Sequence, residues 1–171
     1  TAVEHLIRLG HRKIVVIGGD KENSDTGRLR FQGCMAAFRQ HGIEFDPEND
    51  YEATRFSFAD GYKAARRLLE RKSDFTGLFA ASDVMAIGAI RALHNNGLRV
   101  PRDVSVMGFD GLELGSFLVP QLSTVIQPAQ HMAQRSVEIL IHRIEQGGEA
   151  CRESVPYALH QRESTRRIDD D

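Results

Sequence analysis

The 171-residue chain carries 22 Lys and Arg against 24 Asp and Glu, a formal charge of −2 at pH 7. That balance excludes attachment to nucleic acid or to an anionic membrane through overall charge. With 41% hydrophobic and 27% charged residues, the composition is that of a globular domain long enough to bury one core. No apolar run approaches the roughly 18 residues of a membrane span, and no export signal is legible.

The first residues, TAVEHLIRLG, place Val3, Leu6 and Ile7 at helical spacing with Gly10 at the C′ position. A chain that opens inside a helix reads as a piece of a longer protein. KIVVIG (13–18) follows as a short, β-branched strand of the fully buried kind. Gly19 to Thr26 reads as polar loop, after which Phe31, Cys34, Met35 and Phe38 form an apolar stripe that ends at Gly42. The unit then repeats. Tyr51 to Phe56 reads as a strand, and Ser57 to Asp60 resembles a capping box with Asp in the N3 place. Tyr62, Ala65, Leu68 and Leu69 supply the next buried helix face.

GLFAA (77–81) is a third strand, Ser82 or Asp83 caps a helix over Met85 to Leu93, and Gly97 stops it. VSVMGF (104–109) is a fourth strand, Gly111 to Pro120 a short helix or loop, and Ser123 to Ile126 a fifth strand. Strands alternating with helices of about 10–15 residues imply βαβ units and a doubly wound parallel α/β sheet. Beyond Pro128 the pattern changes. Met132, Val137, Ile139, Leu140, Ile141 and Ile144 give a long amphipathic helix with no following βα partner, broken at Gly147-Gly148. Glu153 to His160 is a candidate strand, and the charged tail from Arg162 to Asp171 is expected to fray.

Ligands of open parallel sheets bind outside the carboxyl ends of the strands. Those ends fall here at Gly18-Gly19 with the loop to Thr26, at Phe56, at Ser82-Asp83, at Phe109-Asp110 and at Gln127, with Arg30 within reach. An arginine, a carboxylate, a hydroxyl, an amide and two rings at one edge suit a small polyhydroxylated or heterocyclic ligand. Each has a duller reading: Asp83 as an N-cap, Asp110-Gly111 as an exit turn, Arg30 paired with Asp110, Phe56 in the core. Gly18-Gly19 lacks the G-x-G-x-x-G spacing of a dinucleotide site. No His or Cys cluster with metal spacing and no G-x-S-x-G elbow occurs, so no metal, cofactor or catalytic residue is expected. The two cysteines, Cys34 and Cys151, have neither metal nor redox spacing and read as free thiols in a reducing cytoplasm.

LIRLGHRKIVVIGG (6–19), RFQGCMAAF (30–38), GLFAASDVMAIGAIRAL (77–93), GLRVPRDVSVMGFDG (97–111), PQLSTVIQP (120–128) and HQRESTR (160–166) together resemble the lactose-repressor (LacI/GalR) family of transcriptional regulators. The resemblance implies a periplasmic-binding-protein-like (type I) effector core without the DNA-binding module. Residues 1–127 would be its C-terminal subdomain, 128–155 a helix and strand of the N-terminal subdomain, and 156–171 a return segment and tail. It also implies that Arg30, Phe56, Phe109, Asp110 and Gln127 contact a small effector, with Thr26 and Ser82 at further contact positions. Ser82 stands where sugar-binding relatives often have Asn, and Ser24 where purine-binding relatives have an arginine. A sugar or sugar derivative is the expected effector, with a purine- or nucleoside-responsive repressor and an exported sugar-binding protein as alternatives. A homodimer is implied through 85–90 and 113–118, with Ile87, Ile90 and Leu118 as candidate contacts. Operator DNA would be bound by a domain outside this chain.

Overall fold

The first strand, β1 (Ile14–Gly18), is buried along its whole length, as an apolar strand must be when helices cover both faces of its sheet. The computed structural model describes residues 1–71, 74–147 and 152–168. Helix α1 (Ala2–Arg8) precedes β1, and α2 (Asp25–Gln40), β2 (Tyr51–Ala53), α3 (Phe58–Arg71), β3 (Gly77–Ala80), α4 (Asp83–Asn95) and β4 (Ser105–Asp110) follow. A 3-10 turn over Glu113–Phe117, β5 (Ser123–Ile126), α5 (Ala129–Gln146) and β6 (Ala158–His160) complete the order.

The sheet runs β2-β1-β3-β4-β5-β6, parallel through β5, with β6 antiparallel to β5. Helices α1 and α2 pack together in one layer and α3 and α4 in the other, as right-handed crossovers on both sides of β1 require. The α3–α4 seam is close. A Cβ on Gly88 would strike the Phe58 carbonyl and come within 2.7 Å of the Tyr62 amide.

Local chemistry sets the boundaries. Helix α2 begins earlier than its apolar stripe suggests, because Ser24 caps it by accepting the Gly27 amide at 3.2 Å. At α3, Ser57 Oγ accepts the Asp60 amide at 3.1 Å and donates to the Asp60 carboxylate at 2.8 Å. The return half of a capping box does not form, since the Ser57 amide is taken by the Arg55 carbonyl at 2.9 Å. The expected strand over 153–160 is confined to Ala158–His160.

The tail expected to fray does not do so between Arg162 and Ile168. Ser164 is wholly buried and Thr165 nearly so. Ser164 Oγ donates to the Val106 carbonyl at 2.7 Å and accepts the Ser123 amide at 2.8 Å. The segment thus wedges between the beginnings of β4 and β5 and satisfies backbone groups there. Thr165 Oγ1 bonds Ser123 Oγ at 2.9 Å and His5 Nε2 at 3.3 Å. His11 Nε2 donates to the Arg166 carbonyl at 3.2 Å, so Nδ1 is the acceptor for Thr76 Oγ1 at 3.0 Å. Burial holds the His11 imidazole down, to a pKa of about 4.

The core is the two faces of the sheet: Val15, Ile17, Leu78, Val106 and Met107 with Leu6, Phe38, Leu68, Met85 and Leu93 from the helices. Helix α5 stands apart. None of its residues is buried, and Val137, Leu140, Ile141 and Ile144 lie exposed along it. Cys34 is a buried free thiol, its pKa pushed up to about 12 by that burial, and Cys151 lies outside the described residues.

Candidate ligand-binding site

The carboxyl ends of the parallel strands converge on one carboxylate. Asp110, the last residue of β4, accepts on Oδ1 both Arg30 Nη2 at 3.1 Å and Gln127 Nε2 at 2.8 Å. Oδ2 has no protein donor among the described residues. Arg30 reaches the edge from the second turn of α2 and also donates through Nη1 to the Ala81 carbonyl beyond β3. Its guanidinium lies 4.2 Å from the Phe109 ring centroid and 5.8 Å from that of Phe56. Arg30 and Asp110 do pair, as the duller reading of the sequence had it, but the pair is half-buried under two rings rather than solvated.

Burial pushes the Asp110 carboxyl up, against the charge and hydrogen bond of Arg30 and the hydrogen bond of Gln127. Its backbone is left-handed at φ 119°, and Gly111 follows at φ 80°. A side chain at residue 111 would meet the Ile126 Cα at 2.9 Å, so only glycine fits. Asp110 has no such freedom, and a residue held there carries about 1–3 kcal/mol of strain. Strain of that size persists only where the surrounding structure holds it in place.

Phe56 is 42% exposed and therefore not a core residue. Thr26 is exposed on the first turn of α2. Ser82 is placed differently: it is buried, and its Oγ accepts the Met85 amide at 3.3 Å as the N-cap of α4. Its hydroxyl is therefore occupied by the helix. Asp83 is not the cap. It is wholly buried and accepts the Leu112 amide and Thr124 Oγ1, each at 2.6 Å. The sequence carries a signal for this, two cap-type residues in a row of which only one can cap.

Beside the triad lies a cavity of about 440 Å³. Arg30, Phe109 and Gln127 line it together with Met132 of α5 and Tyr157, whereas Phe56, Ser82 and Asp110 do not. Tyr157 and the Ala81 carbonyl carried no pattern that would have marked them in advance. Among the described residues no group of His, Cys, Asp and Glu is arranged to hold a metal ion.

A family model described as a periplasmic binding protein-like domain matches residues 3–165. The chain belongs to that family, on its lactose-repressor branch. The HTH-type transcriptional repressor PurR of Haemophilus influenzae (strain PittEE) is 39% identical over 143 residues, 84% of this chain and 42% of that protein. A solved complex of the transcriptional regulator CelR with cellobiose superposes with a TM-score of 0.91 at 35% identity, covering 95% of this chain and 50% of the other. The lac repressor dimer bound to operator and an anti-inducer gives a TM-score of 0.88 at 30% identity, over 96% and 56% of the two chains. The chain thus spans about half the length of these lactose-repressor-family relatives. They are transcriptional regulators, not enzymes by name, and no described helix here is long and apolar enough to cross a membrane.

Proposed function

We propose that this chain is the effector-sensing part of a cytoplasmic, DNA-binding transcriptional repressor that responds to a small polyhydroxylated metabolite, most simply a sugar. The observation that carries this is Asp110, strained at a strand end and sharing one oxygen between Arg30 and Gln127. A sugar offers paired hydroxyls to the free carboxylate oxygen and to the guanidinium, and an apolar ring face to Phe109 or Phe56. Cellobiose bound by a regulator of this fold supports the chemical class. Residues 1–127 act as one subdomain of a two-part core. The exposed apolar stripe of α5 supports assignment of 128–155, of which 148–151 lie outside the described residues, to the other, with the described part of 156–171, as far as Ile168, returning to the first sheet. Ligand closes the cleft between them, and its preference for the closed state shifts the pairing of DNA-binding heads carried outside this chain.

The test is a calorimetric panel of disaccharides, pentoses and purines against the chain and its Asp110→Ala variant. Binding of a sugar that the variant loses supports the reading, and a variant that binds as well as the parent overturns it. The proposed homodimer uses α4, where Ile87 and Ile90 are half-buried, and the turn after β4. There Leu118 turns toward the core while Phe117 and Val119 stand 75% and 96% exposed. Phe117→Asp with Val119→Asp is expected to give a folded monomer in analytical ultracentrifugation. A dimer that persists removes this face as the interface.

A further inference from the structure

We propose that Asp83, which touches no part of the open edge, is a positioning residue that holds the Asp110–Gly111 turn so that the Asp110 carboxylate faces Arg30 and Gln127. The inference rests on the reading of Asp110 as the ligand-binding carboxylate.

Three observations carry it. Asp83 is free for the task, because Ser82 already caps α4. Its two oxygens reach different strands. Oδ2 accepts the Leu112 amide, the first residue after the two left-handed positions, and Oδ1 accepts Thr124 Oγ1 on β5, three residues before Gln127. One carboxylate therefore ties together the exits of the two strands that deliver Asp110 and Gln127. Lastly, β4 is cut away to admit it: a Cβ on Gly108 would collide with Asp83 Oδ1, so the strand carries glycine where the carboxylate lies against it.

Asp tolerates a left-handed backbone better than most residues, but the strain persists only where the surroundings hold it. Here the next residues are gripped from below, by a carboxylate that accepts on both oxygens at once. Burial pushes the Asp83 carboxyl up and the nearby Asp110 charge adds to this, while hydrogen bonds from Thr124, Leu112 and Gly111 oppose it. Released from Asp83, the turn relaxes toward an ordinary strand exit, and the Asp110 carboxylate swings away from its two partners.

The experiment reads the site without any ligand. In the full chain, nitrogen-detected magnetic resonance follows the side-chain amide of Gln127 and the Nε–H of Arg30, neither of which Asp83 touches. Asp83→Ala is expected to move both resonances toward solvent-exposed values. Thr124→Val, which removes the β5 anchor but keeps the Leu112 bond, is expected to move the Gln127 resonance less than Asp83→Ala does and to leave the Arg30 Nε–H in place. Should Asp83→Ala not fold, hydrogen exchange in the unaltered chain decides. The Leu112 amide is expected to exchange at least about 100-fold more slowly than a free loop amide, consistent with a charge-assisted hydrogen bond. Unmoved Gln127 and Arg30 resonances, or a Leu112 amide exchanging at the free rate, would overturn the positioning role. Both readouts are independent of the ligand panel, so a failed effector reading and a failed positioning role are told apart.

Discussion

The two ends of the same parallel sheet hold different polar clusters, although the amino edge also carries the buried Asp50 and the Lys13–Asp74 pair. At the carboxyl end, charged groups share one half-exposed cluster: Asp110 takes two donors on a single oxygen, holds a left-handed backbone, and lies near a second buried carboxylate. At the amino end, Ser105, Ser123, Ser164, Thr165, His5 and His11 are all buried, and hydroxyls and imidazoles bond one another or the backbone. Neutral groups fully satisfied by one another stabilise a fold, since each orphaned partner costs about 1–3 kcal/mol. The charged cluster is only partly satisfied, with one Asp110 oxygen lacking a protein donor among the described residues. The amino end closes the domain, and the carboxyl end is the one proposed to recognise a ligand.

The largest effect that would break this contrast is at Ser164. Ser164→Ala orphans the Val106 carbonyl and the Ser123 amide together, and at about 1–3 kcal/mol each the urea unfolding free energy is expected to fall by about 2–6 kcal/mol. Sugar affinity at the far end is expected to stay within twofold. A variant as stable as the parent would mean that the tail contributes little.

Acid is expected to act next, and at the same end. His11 has a folded pKa of about 4, below its ordinary 6.5, so the unfolded chain takes the proton first as pH falls. Its contribution is intact above pH 6.5 and is lost between 6.5 and 4. Unfolding free energy is expected to drop by about 2 kcal/mol from pH 7.5 to pH 5. His11→Gln is expected to remove most of that slope, with His5, also lowered by burial, supplying the remainder. A slope unchanged in His11→Gln would place the acid sensitivity elsewhere.

The smallest stability effect is expected where the binding effect is greatest. Asp110→Ala removes the ion pair but leaves Arg30 its bond to the Ala81 carbonyl and its contact with the Phe109 ring, and leaves the backbone strain in place, so the melting temperature is expected to move by only a few degrees while sugar binding is lost. A loss of stability comparable to that of Ser164→Ala would make the Asp110 turn part of the fold rather than of the site.

Much of this was legible in the chain itself. Each apolar strand and each 3.6-residue stripe formed an element of the expected type; up to β5, burial on both faces of a sheet demands them in that order, whereas the stripe of α5 lies exposed. The strand-end rule gathered Arg30, Phe109, Asp110 and Gln127, which the fold brings into contact, since a parallel sheet delivers every strand exit to one edge. What misled was polarity read one residue at a time. HQRESTR is charged and lacks a periodic apolar face, yet its Ser164 and Thr165 are buried, because their partners lie far away along the chain: backbone atoms of β4 and β5 for Ser164, and the side chains of Ser123 and His5 for Thr165.

The sequence by itself determined the order of elements, the edge at which they end and the family to which they belong, since periodicity, turn residues and motif wording are properties of neighbours along the chain. Only the tertiary structure decided that Ser82 caps a helix, that Asp83 holds a distant turn, and that the tail closes the amino end of the sheet. A hydroxyl or a carboxylate has the same intrinsic chemistry wherever it stands. Which donor it meets is set by strands that pack together only once the whole sheet has formed.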